Sequence, residues 1–131
     1  MGAGPDDDDS IAFGREVLRL EAEAIAAQVA LLDERFACAV SLVLECKGHV
    51  ILTGMGKSGI VAQKISATLA STGTPSFYLH PAEAIHGDLG RVGSKDLLIA
   101  LSRSGDTEEL RRLIEPVKSI GARMIAITGG P

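Results

Sequence analysis

His49-Val50-Ile51-Leu52-Thr53-Gly54-Met55-Gly56-Lys57-Ser58-Gly59 carries a short β-branched run into a glycine turn and then into a helical pattern. The run over 49–53 predicts a strand, because Val, Ile and Thr suit a pleated, packed surface. Gly54 ends it. From Lys57 to Ser71 the apolar residues Ile60, Val61, Ile65, Leu69 and Ala70 mark one side of a helix. A strand that feeds a helix through a Gly-rich turn is the opening half of a parallel βαβ unit.

The same alternation continues in both directions. Thr72-Gly73-Thr74-Pro75 is a turn and Ser76–His80 a second strand, followed by an irregular segment, Pro81–Arg91, with one helical turn. Asp96–Ser102 is the most apolar strand, Asp106–Ile120 a helix with Pro116 as a kink, Gly121 its cap, and Arg123–Thr128 a fourth strand. Towards the N-terminus, helical spacing covers Ile11–Ala30 and Asp33–Cys46, the second closed by Lys47-Gly48. Met1–Ser10, with its run Asp6–Asp9, reads as a disordered acidic tail, and Asp9 or Ser10 as the first N-cap. Residues 11–131 form one α/β domain with a doubly wound parallel sheet and an N-terminal helical segment.

Composition narrows the function. Apolar residues make up 46% of the 131 positions but aromatics only 3%, so small aliphatic side chains build the core. With 13 basic and 17 acidic residues the net charge is −4, which argues against a nucleic-acid partner. No apolar run is long enough for a bilayer and no signal peptide leads the chain, so the expected location is the cytoplasm. Cys38 and Cys46 would lie about 12 Å apart along a helix, too far for a mutual disulfide, and are expected as buried, inert thiols.

Two segments at strand ends carry chemistry. Gly54-Met55-Gly56-Lys57-Ser58-Gly59 has dinucleotide-loop spacing, but the second strand ends in His80 where that motif needs an acid. A Walker loop would need Gly where Ile51 stands. Nucleotides therefore lose ground. Ser102-Arg103-Ser104-Gly105-Asp106-Thr107 sets three hydroxyls around a glycine at a helix start, where free N–H groups and the helix dipole favour an anion. Capping by Ser104 accounts for one hydroxyl and leaves Ser102 and Thr107 unexplained. His80, Glu83, His86 and Asp88 match no common metal spacing, and no metal is expected there.

These two loops, with Ala70-Ser71-Thr72-Gly73-Thr74-Pro75, His80-Pro81-Ala82-Glu83-Ala84 and His86-Gly87-Asp88-Leu89-Gly90, resemble the sugar isomerase (SIS) domain family, and within it the arabinose-5-phosphate isomerases. The resemblance runs from Phe13 to Pro131 and implies a flavodoxin-like three-layer αβα fold. It implies interconversion of D-ribulose 5-phosphate and D-arabinose 5-phosphate, feeding Kdo and lipopolysaccharide synthesis, by a cofactor-free homotetramer. The alternatives are a non-catalytic sugar-phosphate sensor and an SIS isomerase or lyase acting on a hexose phosphate. By position, the family's phosphate contacts fall on Ser58, Ser102, Ser104 and Thr107. Lys57 falls by the substrate oxygens, His86 on the site rim, and the catalytic carboxylate on Glu109.

Helix geometry gives a separate reading of that carboxylate. Leu110, Leu113, Ile114 and Val117 define the buried face, from which Glu108 points away while Glu109 sits at its edge. Isomerisation needs a base, for which both Glu109 and His86 qualify, and a donor for the developing oxyanion, for which Lys57 qualifies. Family members continue beyond a fourth strand with a fifth strand, a second carboxylate, a histidine and often paired CBS domains. The 131 residues stop at Pro131, so the domain reads as truncated, or else another subunit supplies the missing wall.

Overall fold

The computed structural model describes residues 7–130. The chain divides into two compact units, one up to Cys38 and one from Ala39 onward. The first holds α1 (Asp7–Ala27) and a 3₁₀ turn over Gln28–Leu31. Asp7–Ser10 are thus helical, and Asp9 and Ser10 sit inside the first turns instead of capping them. The remainder of the expected tail, residues 1–6, lies outside the described residues. Val17, Leu18, Leu20 and Ile25 are exposed, although their spacing predicts a packed stripe. Periodicity sets which residues share a face but says nothing of what covers it.

The second unit contains the sheet. After α2 (Glu34–Glu45), which spans the division, come β1 (Val50–Gly54), α3 (Gly56–Ser71), β2 (Ser76–Tyr78) and α4 (Pro81–Ile85). A 3₁₀ turn over Asp88–Arg91, β3 (Leu97–Ser102), α5 (Glu108–Ile120) and β4 (Arg123–Thr128) complete it. All strands are parallel in the order β2-β1-β3-β4, with Gly54 beside Leu101 and Ser102 beside Thr128. The order reverses direction between β1 and β3. Such a switch point opens a crevice beyond the carboxyl ends of those two strands.

Alternation along the strands splits the core into two layers. Val50, Leu52, Leu97, Ile99 and Leu101 face α3 and the C-terminal part of α2, including Leu42, Val43, Ala62 and Leu69. Ile51 and Leu98 face Ala84 of α4 and Leu110, Leu113 and Val117 of α5. Each fully buried aliphatic side chain contributes about 1.5–3 kcal/mol. The three-layer αβα expectation is met.

Three local expectations fail for physical reasons. On α3 the buried positions are Gly59, Ala62 and Ser66, while Ile60, Val61 and Ala70 are exposed. Small residues let that helix lie close to the sheet, so the bulky side chains are turned outward. Gly48 does not need a left-handed turn; a Cβ there would overlap the buried Asp96 carboxylate, which accepts from the His49 N–H at 2.7 Å and the Gly93 N–H at 2.6 Å. Cys38 is exposed rather than buried, and Cys46 is half-buried with its thiol 3.5 Å from the His49 carbonyl. The helix α5 continues as one element through Pro116, and Gly121 caps it with φ +88° as expected.

Candidate functional site

The crevice at the switch point is built by two strand-to-helix connections. On the β1 side Gly54 leads into α3, whose first residue, Gly56, takes φ +55°, a conformation that a side chain would oppose. The N-cap position is Met55, and no side chain caps the helix. Lys57 and Ser58 therefore sit in the first turn of a helix whose leading N–H groups have no side-chain acceptor. Gly59, one residue on, is buried because a Cβ would lie 2.6 Å from the Gly54 carbonyl oxygen and 2.7 Å from the Tyr78 hydroxyl. The Tyr78 hydroxyl donates to that carbonyl at 2.6 Å. Burial pushes its phenol above the ordinary value, only partly offset by the Gln63 side chain.

On the β3 side the hydroxyls are tied to one another. Ser102, buried at the end of β3, lies 2.9 Å from the Thr107 hydroxyl and accepts from the Gly105 N–H at 3.0 Å. Ser104 accepts from the Asp106 N–H at 3.2 Å and so shapes the loop. The N-cap position of α5 is Thr107, not Ser104, and its hydroxyl does not cap the helix. A second helix N-terminus is thus left open to an anion, as the first is.

Between the two connections lies an open cleft of about 360 Å³. Its polar wall is made by Lys57, Ser58, Ser102, Arg103, Thr128 and Gly129. Val61, Leu101 and Ile127 form its apolar side. Two cations, three hydroxyls and no carboxylate line it. Most of its exposed wall is apolar, so the groups that could meet a phosphate-sized anion are the few polar ends of these side chains and the two helix N-termini that no side chain caps.

The structure brings together Lys57, Ser58 and Ser102 in this lining, with Thr107 one hydrogen bond behind Ser102. Ser104 stands in the same loop but outside the lining. Glu109, the second residue of α5, is half-buried while Glu108 is exposed, in keeping with the helical phase. His86 ends α4 as an exposed residue. Helices α4 and α5 pack against each other, so His86 and Glu109 belong to adjacent elements, but neither lines the cleft. His80 uses Nδ1 to accept from the Ala82 N–H at 3.2 Å, which caps α4.

Arg103, Thr128, Gly129 and Tyr78 are absent from the sequence-based site. Thr128-Gly129 end a strand of the sheet, and the rule that ligands sit at carboxyl ends of strands is the signal that points to them. Tyr78 carries no such signal, since its partner Gly54 is 24 positions away.

The fold and cleft define an α/β domain with an open cleft beyond the carboxyl ends of its strands. The chain belongs to the SIS domain family, whose pattern matches residues 43–131. It is 50% identical over 131 residues to arabinose 5-phosphate isomerase KpsF of Escherichia coli O6:H1 strain CFT073, covering 95% of this chain and 40% of that protein. To arabinose 5-phosphate isomerase KdsD of Pseudomonas aeruginosa PAO1 it is 46% identical over 123 residues, or 94% of this chain and 38% of that one. Among solved structures it is similar to protein c3406 of E. coli CFT073, solved with a bound sugar phosphate. There the TM-score is 0.89 and the identity 38%, over 94% of this chain and 65% of the other. The chain thus spans about two fifths of the length of the curated relatives it matches.

Proposed function

We propose that the domain binds a pentose phosphate and contributes to the interconversion of D-ribulose 5-phosphate and D-arabinose 5-phosphate. The observation that carries this reading is the cleft lined by Lys57, Ser58 and Ser102 between two helix N-termini that no side chain caps. Identity of 46–50% to arabinose 5-phosphate isomerases supports the choice of sugar.

In this reading Ser58, Ser102, Ser104 and Thr107 hold the phosphate, Ser104 mainly by keeping the loop's N–H groups turned inward. Lys57 stands by the sugar oxygens. A base removes a proton from C1 of the ketose, and the electron pair moves to form an enediol while negative charge gathers on the C2 oxygen. Lys57 stabilises that oxygen. The proton returns to C2, the hydroxyl proton passes from O1 to O2, and the aldose results. Glu109 and His86 are the candidate bases. No cofactor enters this scheme. The proposal extends to a homotetramer in the cytoplasm whose product feeds Kdo and lipopolysaccharide synthesis.

A second reading is a sugar-phosphate module without turnover, and one observation favours it. Neither Glu109 nor His86 lines the cleft. Incubation with D-ribulose 5-phosphate and an assay for the aldose separates the two. Turnover that falls by about a hundredfold or more in Glu109→Gln, with sugar-phosphate binding kept, supports the isomerase and names its base. Binding without any turnover leaves the module.

A further inference from the structure

The cleft contains a cation that none of the preceding roles uses. Arg103 lies between Ser102 and Ser104 and lines the cleft with Lys57. Three other arginines of the same unit are engaged elsewhere. Arg91 pairs with Asp88 and stacks 4.4 Å over the Phe77 ring, Arg111 pairs with Asp106 at 3.0 Å, and Arg123 pairs with Glu45 at 3.7 Å. Among the described residues Arg103 forms no ion pair, and no carboxylate lines the cleft that would neutralise it.

Its backbone is held in place from the adjacent strand. The Gly129 N–H donates to the Arg103 carbonyl at 3.1 Å, and a Cβ at position 129 would come within 2.9 Å of that oxygen. The end of β4 can therefore approach only because position 129 is glycine. This contact fixes the base of the Arg103 side chain at the cleft wall, across from the first turn of α3. Arg103 is thus rooted in the cleft lining, and its side chain carries the planar donor fork that suits a phosphate.

We propose that Arg103 is a phosphate ligand that selects the dianionic form of the substrate's phosphate. This rests on the sugar-phosphate reading above. The helix N-termini carry only partial positive charge and the hydroxyls none, and Lys57 is given to the sugar oxygens. Arg103 is then the one full positive charge left for the phosphate, and its attraction to a dianion exceeds that to a monoanion. Free sugars gain nothing from it.

The test is calorimetric titration of the intact chain with D-ribulose 5-phosphate, D-ribulose and inorganic phosphate. It is run on both sides of the phosphate's second ionisation, near about pH 6. The unmodified protein is expected to bind the phosphosugar more weakly as the pH falls through that value. In Arg103→Gln affinity drops about tenfold above it and much less below, so the pH dependence flattens. Arg103→Lys restores the pH dependence and part of the affinity, because it keeps the charge and loses the fork. Full affinity with an unchanged pH profile in Arg103→Gln overturns the role of Arg103 alone. Equal binding of D-ribulose and D-ribulose 5-phosphate by the unmodified protein overturns the phosphate reading itself.

Discussion

Gly59→Ala separates two opposed effects at the loop that presents Lys57 and Ser58. The position is helical and its φ is not positive, so propensity alone favours alanine by about 1 kcal/mol. Packing opposes it. The new methyl would sit 2.6 Å from the Gly54 carbonyl oxygen and 2.7 Å from the Tyr78 hydroxyl, both far inside normal contact. The tyrosine can swing aside by giving up its bond to Gly54, at a cost of about 1 kcal/mol. The carbonyl belongs to β1, which is buried along its whole length, and cannot move without shifting the strand. Overpacking of that kind costs about 1–3 kcal/mol. The sum is a net loss of about 2 kcal/mol. Urea unfolding followed by circular dichroism reads it as a lower midpoint at constant slope. Adding Tyr78→Phe to Gly59→Ala removes the hydroxyl clash and leaves the carbonyl clash, so the double variant is expected to lose less than the sum of the single ones. An unchanged or raised midpoint in Gly59→Ala refutes the reasoning, since helix propensity would then have outweighed the close approach.

Other outcomes follow from neighbouring contacts. Thr53 is fully buried in β1 and its hydroxyl has no partner, so Thr53→Val keeps the shape, removes an unsatisfied group and is expected to raise stability by about 1 kcal/mol in the same urea assay. Asp96→Ala strands the His49 and Gly93 N–H groups and is expected to cost about 2–4 kcal/mol, with Asp96→Asn costing less because one acceptor remains. Tyr78 is the sole tyrosine and there is no tryptophan, so its ionisation can be followed by phenolate absorbance. Its pKa is raised in the fold, so its contribution is complete below the unfolded value of about 10 and is lost as pH rises through the folded value. Alkaline destabilisation in that window should shrink in Tyr78→Phe.

How much of this was legible in the sequence depended on whether the signal was local. The strand runs, the two glycine–serine loops and the phase of Glu109 against Leu110 and Leu113 are short-range patterns, and the structure places them where periodicity does. On α3 hydrophobicity points to the wrong face, because residue size decides which side packs on the sheet. Gly59, Ala62 and Ser66 recur at helical spacing, and that small-residue stripe was the readable sign of close packing on the sheet. The exposed stripe of α1 shows the opposite limit, since periodicity cannot name a partner. Arg103 carries no local sign of a role between Ser102 and Ser104. Its place at the cleft depends on Gly129, contributed by a strand paired only in the folded sheet. Tyr78 and Gly54 meet for the same reason, through the pairing of β1 with β2.

The central claim is that the hydroxyl loop after β3 and the first turn of α3 together hold the phosphate of a sugar phosphate. Its most direct measurement compares the affinities of D-arabinose 5-phosphate and D-arabinose for the unmodified chain and for Ser104→Ala. The account predicts that the phosphorylated sugar binds far more tightly, and that Ser104→Ala weakens it by about tenfold while leaving the free sugar unchanged. Equal affinities for the two sugars, or equal losses for both in Ser104→Ala, would contradict it.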